Sequence, residues 1–367
     1  MMYNRKLVLE NGKIFEGVAF GSPKEVVALI TFNTSVVGYQ EILSDPSNYG
    51  QIICMTYPVV GNYGLNDEDY ESKGLVVSGV VVRDYNELPS NFRYTHKLSE
   101  AMEEFDVAGI SGIDTRELTR YIRDNGSMKA LICDIDKPIE ECLEVLKQEV
   151  DESSFVSSVS TKKVLYSRTS NPNYNVVVVD CGVNKSLIKG LNKVGYNEVI
   201  VPFNTSFENI LKHKPDGLVI SNGPGNPNDA KEVVELIKQA KGKLPILGIG
   251  LGCELIALAY GAGIDKSKFG QHGCNIPVKN LETNKIDIAI SNANYQINEE
   301  SLNDTKLNIL TKGVIDNTVM GVIDYKNKVI GIMNLPIEYS SSDYIFNAYT
   351  KFLKKVGGRA YAKKNWY

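Results

Sequence analysis

The stretch GIGLGCE, residues 248–254, has the pattern of a nucleophile site from which the nucleophile is missing. An apolar strand leads through glycines into an apolar helix. Many hydrolases place a Ser or Cys at the turn between two such elements, where the next backbone N–H, here that of Leu251, can stabilise an oxyanion. This sequence has Gly250 at the turn, and a thiol follows three residues later, at Cys253. The pattern alone leaves open a tight turn that needs glycine or an active-site elbow that has lost or displaced its nucleophile.

The elements around this turn predict an open, mostly parallel sheet with helices on both faces. Apolar strands such as NVVVVD and LPILGIG alternate with amphipathic helices such as NKSLIKGLNKVG, which is the arrangement of an α/β domain. In such a sheet, ligands bind outside the carboxyl ends of the strands. Two loops meet that condition: SNGPGNP (221–227) and the turn at Gly250.

The first part of the chain has a different character. Short β-branched runs separated by Gly, Asn and Pro indicate a β-rich α/β domain over residues 1–150. A stretch rich in Ser, Thr and Asn follows, and it predicts a linker over 151–174. The strand–helix alternation then defines a second domain over 175–367.

Composition narrows the class of protein. A chain of 367 residues favours two domains, and its net charge of -4 without a long basic run argues against nucleic acid as a partner. No run of 18 apolar residues and no signal-peptide pattern occur, so we expect no membrane partner and a cytoplasmic location. The six cysteines form no CxxC pair, which favours reduced thiols.

Several longer motifs carry a family resemblance. The segment FNTSVVGYQEILSDPSNYGQIICMTYPVVGNYG (32–64), SNFR (90–93) and GIDTRELTR (112–120) resemble signatures of the small subunit of carbamoyl phosphate synthase. SNGPGNP, FGQHGCNIPV and the strand–elbow–helix resemble the class I glutamine amidotransferase domain of that family. The resemblance implies the class I amidotransferase fold for the second domain.

The resemblance also implies a partner. In the family, a large synthetase subunit binds the ATP, magnesium and bicarbonate, and makes carbamoyl phosphate for pyrimidine and arginine synthesis. The small subunit hydrolyses glutamine through a Cys thioester and holds no cofactor of its own. We therefore expect no cofactor in this chain, and we expect its partner to be a large subunit.

The departures from the family concern the catalytic triad. The family elbow reads G-I-C-L-G-H-Q, and the nucleophilic Cys is replaced here by Gly250. The family's H-P-E, which supplies the base and the residue that orients it, is replaced by Leu335-Pro336-Ile337. Glycine cannot attack a carbon, leucine cannot take a proton and isoleucine cannot orient an imidazole. We therefore expect a silent glutaminase that serves as a structural or allosteric partner of an ammonia-using large subunit.

The glutamine-binding positions survive only in part. The family's Q-N-H-G-F stretch reads SNANY here, and the glutamine of its elbow helix is a glutamate. Remnants of the glutamine site are expected at Ser47, Gly223, Gly225, Leu251, Glu254, Asn292, Asn294 and Tyr295.

Two other functions remain open from the sequence. Cys253 is a candidate relocated nucleophile of an active amidase, although it would lie about 300° around the helix from Gly250. Alternatively, the old glutamine cleft binds another small molecule. A metal site at Cys253, Cys274 and His272 is not expected, because their spacing matches no zinc pattern.

Overall fold

The computed structural model describes residues 4–148, 150–335 and 343–354. The chain divides into two compact units. The first comprises residues 1–155 together with 266–275, and the second comprises 156–265 together with 276–367.

The first unit is built mainly from short strands. In chain order its elements are β1 (Arg5–Leu9), β2 (Ile14–Gly21), β3 (Val26–Asn33), α1 (Tyr39–Ser44), a 3-10 turn (Pro46–Asn48), β4 (Ile52–Met55), β5 (Val59–Val60), β6 (Gly79–Val81), β7 (Asp84–Tyr85), α2 (Leu98–Glu104), β8 (Ala108–Ser111), α3 (Thr115–Asn125), β9 (Met128–Asp134) and α4 (Ile139–Lys147). Seven of the strands close into a barrel in the order β1-β2-β8-β6-β4-β3-β9. Closure leaves these strands without a free edge.

Strand β4 shows how the first unit buries its side chains. Ile52 and Cys54 pack in the apolar cluster that includes helix α3, whereas Ile53 and Met55 pack in the cluster that includes α1 and α2. Successive side chains of a strand point to opposite faces, so a continuously apolar strand needs cover on both.

The second unit contains the predicted α/β arrangement. Its elements are α5 (Phe155–Val159), β10 (Leu165–Ser167), β11 (Tyr174–Asp180), α6 (Lys185–Lys193), β12 (Tyr196–Pro202), α7 (Phe207–Lys212), β13 (Gly217–Ile220), a 3-10 turn (Pro227–Asp229), α8 (Lys231–Ala240), β14 (Ile246–Ile249), α9 (Leu251–Ala259), β15 (Ile264–Asn280), β16 (Ile286–Ile297), α10 (Glu299–Leu302), β17 (Asn308–Gly313), β18 (Val319–Asp324), β19 (Val329–Ile332) and α11 (Asp343–Lys354). Ten strands form one sheet in the order β10-β12-β11-β13-β14-β19-β18-β16-β15-β17.

The centre of this sheet is parallel. Strands β12, β11, β13, β14 and β19 pair in parallel, and antiparallel strands extend the sheet on both sides. Alternate valines of β11 enter two clusters: Val177 and Val179 pack with α7, α8 and α9, and Val176 and Val178 pack with α6 and α11. The prediction of an α/β fold with helices on both faces is confirmed.

Two boundaries drawn from the sequence need correction. The predicted linker over 151–174 contains α5 and β10, and β10 pairs with β12 as an edge strand of the sheet. Residues 266–275, assigned to the second domain, belong to the first unit, where the N–H of Ser127 donates to the carbonyl of Lys268 over 2.7 Å. A polar composition does not exclude strand pairing, because the sheet supplies partners for the backbone.

Among the helices of the described residues, none has the length and apolarity needed to cross a membrane.

Candidate functional site

The elbow at Gly250 joins the carboxyl end of β14 to the first turn of α9. All four residues of β14 are buried, and the strand lies between β13 and β19. The N–H of Gly250 donates to the carbonyl of Ile332 over 2.8 Å, and its own carbonyl accepts from the N–H of Cys253 over 2.9 Å. The turn is thus held by the sheet on one side and by the helix on the other.

The two glycines that flank the elbow are required by close packing. A Cβ atom on Gly248 would stand 2.4 Å from the carbonyl oxygen of Gly252. A Cβ on Gly252 would stand 2.3 Å from the carbonyl oxygen of Ile220. Neither position tolerates a side chain without a shift of the backbone.

Gly250 differs from its neighbours. Its φ of 55° and ψ of −117° form the strained turn expected of a nucleophile elbow. A Cβ on Gly250 would meet Asn222 Cβ at 3.3 Å and Leu335 Cδ2 at 3.9 Å. The elbow therefore keeps its backbone, and a Cβ atom would fit there only with a small shift of Asn222. Glycine itself offers no nucleophile.

Leu335 lies where a base would have to act on a side chain at the elbow. It is 3% exposed and packs in the apolar cluster that contains Ile249 and Ile332. Its N–H donates to the carbonyl of Ile290 over 2.8 Å. The position is part of the core and holds no proton acceptor. Ile337, the third expected triad position, lies outside the described residues.

Cys253 is directed away from the elbow. It is fully buried, and its Sγ lies 2.8 Å from the point where a Cβ on Gly331 of β19 would stand. Burial raises the pKa of its thiol well above the ordinary value, despite a hydrogen bond with the backbone of Val322. A neutral, enclosed thiol is a poor nucleophile, so this placement does not favour the relocated-nucleophile interpretation.

Glu254 is the acidic residue of the elbow helix. It is 4% exposed, and burial alone raises the pKa of its carboxyl to about 8. Within the described chain, its Oε1 atom is enclosed without a hydrogen-bond partner. A carboxyl in this state is largely protonated at neutral pH.

The loop after β13 packs against the start of α9. A Cβ on Gly223 would meet Cδ2 of Leu251 at 2.9 Å and the carbonyl oxygen of Cys181 at 2.1 Å. Gly225 has a φ of 86°, a conformation that favours glycine. These expected remnants therefore shape the backbone around the elbow.

The remaining expected positions lie on two different elements. Asn292, Asn294 and Tyr295 lie on β16, are partly exposed, and are each engaged in interactions within the chain. Ser47 lies in the first unit, in the 3-10 turn Pro46–Asn48, where its N–H donates to Oδ1 of Asp45 over 2.9 Å.

Within the second unit, no imidazole group lies at the elbow's end of the sheet. The second unit contains a single histidine, His213, which caps the C-terminus of α7 ahead of β13. The elbow follows the carboxyl end of β14, at the opposite end of parallel strands. His272 is buried and Cys274 exposed, and both belong to the first unit. The described ranges hold no cluster of three or more His, Cys, Asp or Glu suited to a metal ion.

Sequence reasoning missed three polar side chains in this region. Asn222 stands beside Gly250, and both Ser291 of β16 and Asn334 after β19 are buried. Asn222 lies inside the SNGPGNP motif that carried the family resemblance, whereas Ser291 begins the SNANY stretch that departs from the family's Q-N-H-G-F. No local pattern marked Asn334, which the fold brings into register through the pairing of Leu335 with Ile290.

Two family models match the chain. The CPSase domain of the carbamoyl-phosphate synthase small chain matches residues 7–132, and the class I glutamine amidotransferase model matches residues 177–332.

Curated relatives match over most of the length. A carbamoyl phosphate synthase small chain of Fusobacterium nucleatum is 41% identical over 353 residues, 95% of this chain and 98% of that protein. A pyrimidine-specific small chain of Bacillus subtilis is 42% identical over 318 residues, 87% of this chain and 86% of that protein. A solved structure described as a putative GMP synthase subunit from Thermoplasma acidophilum is 20% identical, with a TM-score of 0.44, and covers 50% of this chain and 94% of that one.

Proposed function

Because this chain belongs to the family of carbamoyl phosphate synthase small chains, we propose that it is the small chain of a synthase that takes nitrogen from ammonia. Its own glutaminase is silent, and it acts as a structural or allosteric partner of a large chain. The large chain binds ATP, magnesium and bicarbonate, and this chain holds no cofactor. The complex works in the cytoplasm and supplies carbamoyl phosphate to pyrimidine and arginine synthesis.

One observation carries the proposal. The position of a nucleophile at Gly250 faces the apolar side chain of Leu335, whose Cδ2 lies 3.9 Å from the place of a Cβ. Thioester chemistry at an elbow needs a thiolate and a base within hydrogen-bond reach of each other. A glycine opposite a leucine supplies neither group, and the nearby thiol of Cys253 is enclosed by β19.

The test compares two nitrogen donors in the assembled complex. The full chain and its large chain are mixed, and carbamoyl phosphate is measured with ammonium chloride or with glutamine. We expect synthesis from ammonium and none above background from glutamine. A complex that contains a small chain with the Cys, His and Glu triad serves as the positive control. Glutamine-dependent synthesis that is abolished by thiol alkylation would contradict the proposal.

The partner role is tested in the same assay. The large chain alone provides the reference for ammonium-dependent synthesis and for stability. We expect the complex to differ from the large chain alone in rate, in ATP dependence or in thermal stability. Failure of the two chains to associate at micromolar concentration would contradict this role.

A further inference from the structure

Two buried thiols of the first unit face each other. The Sγ atoms of Cys133 and Cys142 lie 3.7 Å apart, and both side chains are fully buried. The sulfur atoms of a disulfide are about 2.05 Å apart, so an approach of about 1.7 Å would join this pair. Both residues belong to the first unit, whereas the elbow at Gly250 belongs to the second.

The two cysteines lie on consecutive elements, strand β9 and helix α4, which a short connection joins. Ile132 of β9 packs in the apolar cluster that includes α3, whereas Leu131 and Cys133 pack with Cys142 and Leu146 of α4. Successive side chains of a strand point to opposite faces. Helix α4 therefore covers the face of β9 that carries the thiol.

A lysine stands beside Cys133 on the neighbouring strand. Lys6 of β1 is opposite Cys133 in the antiparallel register of β1 and β9, and its Nζ donates to the carbonyls of Ile135 and Lys137 in the connection to α4. Burial, followed by the hydrogen bond with Cys142, raises the pKa of the Cys133 thiol to about 12, and the positive charge of Lys6 opposes this rise. The resting form of Cys133 is therefore the neutral thiol, next to a charge that favours the thiolate.

We propose that Cys133 and Cys142 are a modification site, a dithiol that hydroperoxides oxidise to a reversible disulfide between β9 and α4. This inference goes beyond the proposed function and does not rest on it, because it depends only on contacts within the first unit. The reduced thiols expected from the sequence are the resting state of the pair, and the disulfide is its oxidised state.

The reaction balances with one hydroperoxide for each pair of thiols. One thiolate attacks an oxygen atom of hydrogen peroxide, so that an S–O bond forms, the O–O bond breaks and hydroxide leaves. The other thiolate attacks the sulfur of this sulfenic acid, which forms the S–S bond and releases a second hydroxide. The two protons lost by the thiols convert both hydroxides into water. The two sulfur atoms together lose two electrons, and the O–O bond accepts them.

Helix α4 gives a small oxidant its route to the thiols. In Ile139–Lys147 the buried residues are Cys142 and Leu146, and Pro138 precedes the helix without a side-chain cap. An element held by few buried side chains opens locally while the rest of the domain stays folded. Hydrogen peroxide is little larger than water, so such openings admit it.

Thiol counting in the full chain tests the pair. The Cys274→Ser variant is used, because it lacks the exposed thiol and cannot form links between chains through it. After treatment with hydrogen peroxide, free thiols are blocked with N-ethylmaleimide in urea and the intact mass is measured. We expect five blocked thiols before treatment, three after it, and five again once dithiothreitol has been added.

Proteolysis locates the bond. Lys137 is followed by Pro138, so trypsin leaves both cysteines in one peptide that spans residues 130–147. Cleavage after Glu140 or Glu141 separates the two cysteines. From the oxidised chain we expect two linked fragments, which dithiothreitol releases from each other.

Matched variants identify the partners in the same background. Cys133→Ala and Cys142→Ala should each abolish the loss of two thiols. Cys54→Ala is the control, since Cys54 is another fully buried cysteine of the first unit, and it should leave that loss unchanged. The thermal unfolding midpoint gives an independent measurement. It should rise by about 2 °C or more on oxidation, because a disulfide restricts the unfolded chain.

Each outcome decides for or against the pair. Five blocked thiols after peroxide treatment, oxidation of the two residues to sulfinic acids without a link, or a link to another cysteine would overturn the inference. Fragment mapping of the chain that keeps both cysteines decides the matter even if an alanine variant does not fold. None of these results bears on the nitrogen donor of the synthase, so the proposed function stands or fails separately.

Discussion

Leu335 Cδ2 lies 3.9 Å from the point at which a Cβ atom on Gly250 would stand. These are the positions that the family resemblance gives to the nucleophile and its base, and here they hold a glycine and a leucine. Leu335 also packs in the cluster of Ile249 and Ile332. Apolar packing therefore fills the space opposite Gly250 at the carboxyl ends of the central strands.

Gly250→Ala should destabilise the chain. Its φ of 55° with ψ of −117° is a conformation that residues with a Cβ rarely adopt, and the strain costs about 1–3 kcal/mol. Urea unfolding measures the difference. Gly263→Ala is the control, because the nearest atom to its Cβ would stand 3.6 Å away. Equal effects of the two variants would contradict the strained elbow.

Gly250→Cys should not restore glutamine hydrolysis. The new thiol would face the apolar Leu335, so nothing would remove its proton or protonate the leaving amine. We expect glutamine-dependent carbamoyl phosphate synthesis to stay at background, with ammonium-dependent synthesis retained. The control is Gly250→Ser, which has nearly the same size. Turnover of glutamine by the Cys variant and not by the Ser variant would show that a base is present.

A single thiol should react rapidly in the native chain. Cys274 is exposed, whereas Cys54, Cys133, Cys142, Cys181 and Cys253 are buried. Titration with a chromogenic disulfide should give one fast equivalent, and the remaining thiols should react only after unfolding. Cys274→Ser should remove the fast phase and Cys253→Ala should not. A fast phase that disappears in Cys253→Ala instead would reopen the relocated-nucleophile interpretation.

Glu254 should make the chain less stable as the pH rises. Its folded pKa of about 8 exceeds the ordinary value of 4.5, so the folded state holds the proton more tightly than the unfolded state. The free energy of unfolding therefore falls between pH 4.5 and about 8, by up to about 1.4 kcal/mol for each unit of the shift. Below pH 4.5 the carboxyl is protonated in both the folded and the unfolded state, so its titration no longer changes the free energy of unfolding.

Two variants separate this contribution from that of Glu198, whose pKa is raised to about 7 by burial. As the pH rises, the free energy of unfolding of Glu254→Gln should increase relative to that of the wild type until about pH 8. For Glu198→Gln, the same difference should level off near pH 7. Urea unfolding at several pH values measures both. A stability difference between Glu254→Gln and the wild type that does not change with pH would contradict the buried carboxyl.

The elbow itself was predictable because its signal is local. A buried strand, three alternate glycines and an apolar helix follow one another within a dozen residues, and Gly250 stands where the family has its nucleophile. Family motifs also located Leu335, although nothing in its immediate sequence showed that it packs with Ile249. The division into a β-rich part and an α/β part followed from hydrophobic periodicity in the same way.

The tertiary structure alone decided the direction of Cys253, the pairing of Ser291 with Asn334 and the return of residues 266–275 to the first unit. Each depends on which strand lies beside another, and strand neighbours here come from distant parts of the chain. A residue's own sequence context sets its place on a helix or strand, but the neighbouring strands determine what its side chain meets. The sequence by itself thus determined that the elbow has no nucleophile. The packing of β19 against α9 decided that the thiol is enclosed.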